Sequence, residues 1–161
     1  MSKNKNRKQA INIFGSLYKR LSNFDWSKCF YCSSPMQCYD HVPPLKDVAE
    51  HGSKNLRKIG VKFLLVPACA SCNSALGAKP LWFLDERMEF LFKRSEKALD
   101  KFGTGWSDDE LEEVGRGLQD FIKESEKQRK EAIRRHHAIE RNMTLFELDK
   151  ESIYNHSDLE E

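Results

Sequence analysis

Asp40 and His41 stand side by side in CYDHVPPLK (residues 38–46), and Asn73 directly follows the second of two Cys-x-x-Cys pairs. A carboxylate oxygen and an amide oxygen are hard ligands. They suit an Mg²⁺-like ion that keeps several waters and takes further ligands from a phosphate. A neighbouring imidazole titrates near neutral pH and can accept a proton from an attacking water. An ion at the leaving oxygen and a base at the water are together sufficient for hydrolysis of a phosphodiester.

Something must bring these groups together, and the cysteines have the spacing for it. Cys29/Cys32 and Cys69/Cys72 form two knuckles, with 37 residues separating Cys32 from Cys69. Two knuckles place four thiolates tetrahedrally about one zinc ion. Such a site has no open coordination position, so it acts as a staple and any catalysis lies elsewhere. Closing it would draw the segment after the first knuckle against the segment after the second, and Asp40-His41 would then face Asn73. Cys38 falls outside the knuckle pattern and reads as a small buried hydrophobe. The βαβ setting of a redox dithiol is absent.

The elements that would hold this arrangement follow from periodicity. Apolar residues at 11, 13, 14, 17, 18 and 21 predict a basic N-terminal helix over 8–21. FDWSKCFYCSSPMQCYDHV (residues 24–42) reads as a compact hairpin about an SSP turn. Residues 43–62 read as a long functional loop, KFLLVPA as a short strand, and CASCNSALG as a short helix stopping at Gly77. From Leu81 the apolar period is helical, and GTGW interrupts it. Ser107 with Glu110 then opens a second long helix, expected to reach Asn142. The two form an antiparallel hairpin. Gly115 and Gly117 fall inside its second stripe. His136-His137 are adjacent, do not share a helix face, and read as helix surface. The expected organisation is a core over 1–80, a helical hairpin over 81–145, and an acidic flexible tail over 146–161.

Composition sets outer bounds. The chain has 161 residues, 39% apolar and 32% charged, which supports a modest core under a wet surface. No apolar run approaches the roughly 20 residues that span a bilayer, and no signal peptide is evident, so a cytoplasmic location is expected. The net charge of +2 is uneven: residues 1–104 hold 18 Lys/Arg against 9 Asp/Glu, and residues 105–161 hold 9 against 16. A basic front that carries every cysteine and the Asp-His pair favours a phosphate-bearing partner.

The order Cys-x-x-Cys, Asp-His-Val-Pro-Pro, Val-Pro-x-Cys-x-x-Cys-Asn resembles the HNH endonucleases, the zinc-stapled branch of the ββα-metal nucleases. The resemblance covers about residues 26–80. It implies an α+β fold with a small ββα-metal core and metal-dependent cleavage of DNA, double-stranded by expectation, or of RNA. It implies His41 as general base and Asp40 and Asn73 as ligands of a catalytic Mg²⁺ or Mn²⁺. Cys29, Cys32, Cys69 and Cys72 would hold structural zinc, and Pro43 would help set the histidine turn. The sequence departs from the pattern at Leu64, where the family carries an Asn that holds the histidine loop; Asn55 is the nearest substitute. The extra length before β-strand KFLLVPA carries Lys54, Arg57, Lys58 and Lys62, expected phosphate contacts. His51 lies in the same stretch. The alternative is a zinc-stapled module that binds nucleic acid or protein without cutting. The hairpin is expected to dimerise or dock to a larger effector.

Overall fold

The computed structural model describes residues 3–155 apart from Asn23 and Thr104. Helix α1 (Lys3–Phe14) ends where Gly15 opens a single 3₁₀ turn, Gly15–Leu17. The chain then becomes extended instead of continuing to Leu21 as the apolar spacing suggested. Strand β1 (Lys19–Arg20) follows, and Tyr18 and Leu21 flank it as buried anchors in two different apolar clusters. Splitting those anchors between two clusters is what one continuous helix face could not do.

The first knuckle folds as turns with a lone bridge between Lys28 and Pro35, so the hairpin expected over 24–42 does not form. Strand β2 (Cys38–Val42) pairs instead with strand β3 (Leu64–Ala68), antiparallel, with Asp40 opposite Val66 and His41 opposite Leu65. β1 runs parallel to β3 on its other side, so the order is β1-β3-β2 and one edge of β2 is unpaired. Helix α4 (Ala70–Leu76) follows β3 directly and stops at Gly77, whose φ of 54° closes the helix in the left-handed region. It packs across β2. The unit β2-β3-α4 is thus two antiparallel strands with a helix.

Residues 43–62 are not a loop. They form α2 (Leu45–His51) and α3 (Ser53–Lys58), broken at Gly52 with φ 78°. Val48 and Leu56 are buried there against Tyr18, Val61 and Phe63. Val48 before HGS and Leu56 after it suffice to hold two short helices because each is buried in the same apolar cluster.

Helix α5 (Leu84–Leu99) begins where the Glu86 carboxylate accepts the Trp82 and Phe83 amides. The Ser107–Glu110 reciprocal cap forms as expected but opens only the short α6 (Asp108–Glu112). The chain breaks before Arg116, beside Gly115, and α7 (Arg116–Asn155) then runs 40 residues, about 60 Å. α7 passes well beyond Asn142. Phe146 is 2% exposed, Ile153 and Tyr154 pack on the same core, and Lys62 Nζ donates to the Tyr154 carbonyl at 2.7 Å. The acidic tail expected from 146 is therefore an ordered helix as far as Asn155; residues 156–161 lie outside the described residues. Its apolar anchors outweigh its acidic composition, since each such burial contributes roughly 1.5–3 kcal/mol.

α5 and α7 do pack as a pair, yet they are not a separate unit from the first 80 residues. Leu84, Met88, Leu91, Ile139 and Phe146 share one apolar cluster with Phe30, Tyr31, Val66 and all four knuckle cysteines.

Candidate functional site

The four knuckle thiols converge. Their Sγ atoms lie within 4.8 Å of one another, with 3.6 Å between Cys32 and Cys69, and all four residues are buried. Zn–S bonds of about 2.3 Å set tetrahedral S···S edges of about 3.8 Å, so the set is positioned to bind a metal ion. The thiols hydrogen-bond one another. Contact with Cys29 chiefly draws Cys32 and Cys69 below the ordinary thiol range, while Cys32 holds Cys29 above it. Around the sulfurs, the Cys72 amide donates to Cys69 Sγ at 3.4 Å. Arg135 Nη2, from α7, donates to Cys72 Sγ at 2.9 Å. Asn142 Nδ2 caps the Phe30 carbonyl at 3.0 Å. The long helix thus clamps the knuckle side.

Along β2 and α4 lies a cleft of about 1080 Å³. Residues 38–41 of β2 form its floor. One wall is α4 with Asn73 and Ser74, and the other is formed by Ala10 of α1 with Pro44, Lys46 and Ala49 at and within α2. His41 and Asn73, far apart in sequence, line this one cleft. The Ala70 amide donates to Gln37 Oε1 at 2.9 Å, fixing the start of α4 beside the strand that carries His41.

Successive strand residues point to opposite faces, and this separates Asp40 from His41. The Asp40 side chain turns inward, 3% exposed, and its two oxygens accept from Arg87 Nη1 at 2.8 and 2.7 Å. The Tyr31 hydroxyl donates to the same carboxylate at 2.6 Å. Asp40, expected as a ligand together with Asn73, lines the same cleft as Asn73, and its carboxylate is paired with the buried Arg87 guanidinium.

His41 is held from the other face. The Tyr18 ring meets its imidazole edge-on, with centroids 4.8 Å apart at 88°. The Tyr18 hydroxyl donates to the Pro43 carbonyl at 2.7 Å, across the turn that follows the histidine. Burial pushes this hydroxyl well above the ordinary tyrosine range, so it stays a donor. Arg87 Nη2 also donates to the His41 carbonyl at 3.3 Å.

Leu64 is 1% exposed and sits opposite Val42 in the sheet. Asn55 does not replace the missing amide, because its Nδ2 donates to the His51 carbonyl at 2.9 Å. Tyr18 and Arg87 hold the turn instead. His51 packs edge-on to Trp82 at 5.2 Å, and His136 bonds Ser95 Oγ at 2.8 Å, so neither lies at the cleft. Lys54, Arg57 and Lys58 are exposed on α3 but none lines the cleft. Lys62 is turned to the end of α7. Among the described residues that line the cleft, the cation is Lys46.

Three of these residues were missed by sequence reasoning. Arg87 carried a signal: Leu84, Arg87, Met88 and Leu91 lie on one helical stripe and all are buried. An arginine on such a stripe requires a buried acid, and Asp40 was available. Tyr18 read as one more apolar position. Lys46 had no distinguishing pattern.

No protein-family model, curated protein or solved structure matches the chain. No helix among the described residues is long and apolar enough to cross a membrane.

Proposed function

We propose that the protein is a metal-dependent endonuclease that hydrolyses phosphodiester bonds of DNA or RNA, with His41 as its base. The observation that carries this reading is that His41 and Asn73 line one open cleft beside a four-thiol cluster able to hold zinc. The resemblance of the Cys-x-x-Cys, Asp-His-Val-Pro-Pro and Cys-Asn segments to the HNH endonucleases supports it. His41 would take a proton from water as that water's oxygen bonds to phosphorus. The phosphorus–oxygen bond on the opposite side would break, leaving a phosphate and a hydroxyl. A Mg²⁺ or Mn²⁺ ion in the cleft would neutralise charge on the phosphate. Asn73 and Asp40, which both line the cleft, would offer it side-chain oxygens, Asp40 on release from Arg87. Zinc in the thiol cluster would hold β2 and α4 in place.

The test is plasmid nicking with added Mn²⁺ or Mg²⁺. The wild type should cut, chelation should stop it, and His41→Ala should not cut while keeping its zinc and its fold. Undiminished cutting by His41→Ala would overturn the assignment.

The committed Asp40–Arg87 pair favours a second reading, a zinc-stapled module that binds nucleic acid or protein without cutting. Binding without cleavage under every divalent ion would select it. On either reading the α5–α7 pair would supply the docking surface for a second copy or a larger assembly. Leu118 and Phe121, one turn apart on α7 and 49% and 72% exposed, support that role.

A further inference from the structure

We infer that Arg20, Trp26 and Tyr39 form a subsite for an unpaired nucleobase and its adjoining phosphate, beside His41. The inference rests on the cleft being a phosphodiester site, and it names the form of substrate that site takes.

Sheet register places the parts. Arg20 on β1 and His41 on β2 both lie directly opposite Leu65 of β3, so the three share one face. Tyr39, two residues before His41 on the same strand, lies on that face as well. It is 38% exposed and also lines the cleft. The Trp26 ring lies 5.9 Å from the Tyr39 ring at 52°. The Arg20 guanidinium lies 4.8 Å above Trp26 and 5.9 Å from Tyr39. A cation and two aromatic rings thus run from the cleft across the sheet.

Their chemistry selects the ligand. The indole N–H of Trp26 is engaged by the Leu21 carbonyl at 3.1 Å and its ring packs on the main apolar cluster, so it is a fixed platform under Arg20, and the exposed Tyr39 ring offers the stacking face. Among the described residues no carboxylate pairs with Arg20, although it is exposed, so its N–H groups are available to a phosphate. Aromatic rings with an adjacent guanidinium bind bases by stacking and phosphate by charge. A base in a duplex has both faces covered by its neighbours, whereas an unpaired base has a face to offer. Lys46 on the α2 side of the cleft supplies a second positive group on the same path. The strand side of the cleft adds no opposing charge, because Asp40 is neutralised by Arg87.

The test is binding, kept apart from cleavage. The His41→Ala protein, without added divalent ions, is titrated into a labelled single-stranded DNA, an RNA strand of the same sequence, and the corresponding duplex, with anisotropy as readout. Tyr39→Leu and Arg20→Gln, each added to this background, should weaken binding of the preferred single strand roughly tenfold. Tyr39→Phe should keep it, and duplex binding should change less. Thermal melting of each variant shows that the fold is kept. If Tyr39→Leu does not fold, Arg20→Gln, at an exposed position, carries the test. Single-strand binding unchanged in both variants, equal loss for single strand and duplex, or no binding at all would overturn the subsite. Loss of single-strand binding in a protein that never cuts would leave the subsite standing and remove the nuclease. His41-dependent cutting with unchanged binding would do the reverse.

Discussion

β2 has two faces, and they treat the same Asp-His dipeptide oppositely. The inner face carries Asp40 and Val42, with Val66 and Leu64 beside them, all at most 3% exposed. The outer face carries Tyr39 and His41, with Leu65 beside them, and none of these is buried. Adjacent polar residues therefore do different work. Asp40 joins sheet to α5 through a buried ion pair, while His41 keeps its ring at an open cleft. Side chains next to each other in a strand leave it on opposite faces. The comparison predicts that changes on the inner side act on folding and changes on the outer side act on ligands.

The largest effect should come from the four-thiol cluster at the inner side. Cys69 and Cys72 are 4% and 0% exposed within the main apolar cluster. Structural zinc contributes folding free energy directly, on the order of 10 kcal/mol in small zinc peptides. Cys69→Ser, or chelation, should abolish the cooperative thermal transition and release about one zinc per chain, measured by metal analysis alongside melting. A sharp transition retained without metal would show that packing alone holds the inner side.

Arg87→Ala comes next. It leaves the Asp40 carboxylate buried with only the Tyr31 hydroxyl as partner. Breaking one side of a buried pair destabilises by roughly 3–5 kcal/mol. Urea unfolding should show a loss of that order, and adding Asp40→Asn should recover part of it. Loss of cleft function without loss of stability would mean that Asp40 acts at the cleft after all.

A smaller effect tests the partition by pH. Tyr18, Tyr31 and Tyr154 are all raised above the ordinary tyrosine value, in each case mainly through burial. A folded value above the unfolded one, which is about 10, means that the fold prefers the protonated hydroxyl. That stability is fully present below pH of about 10 and is lost as pH rises beyond it. Tyr18→Phe removes one such group and the bond to Pro43, so it should lose about 1 kcal/mol at neutral pH. Its stability should then fall less steeply than that of the wild type in alkaline urea titrations.

How much of this was legible in the sequence follows the range of the interactions involved. The knuckles, the short helix stopping at Gly77 and the reciprocal cap at Ser107 are local patterns, and each formed where its residues indicated. The partner of β2 was not local. Its hydrogen bonds go to β3, beyond two helices, so the nearer turn at SSP drew the hairpin to the wrong place. The acidic composition of 146–155 concealed three anchors, Phe146, Ile153 and Tyr154, because composition averages over faces that packing distinguishes. The cleft was legible as an association of His41 with Asn73. The inward turn of Asp40 was not, since it depends on Arg87, 47 residues away.

His41→Ala should have the least effect on folding. The imidazole is partly exposed, its ring contact is with Tyr18, and the groups that hold its turn are the Tyr18 hydroxyl on Pro43 and Arg87 on its own carbonyl. Neither hydrogen bond uses the histidine side chain. Removing the ring forfeits its edge-on contact with Tyr18, a contact of a kind worth about 0.5–1.5 kcal/mol. The melting temperature should therefore stay within a few degrees of the wild type and zinc content should not change, while cleavage disappears. A large fall in melting temperature would mean that His41 belongs to the inner, structural set with Asp40. The partition between the two faces of β2 would then fail at the residue on which the proposed chemistry depends.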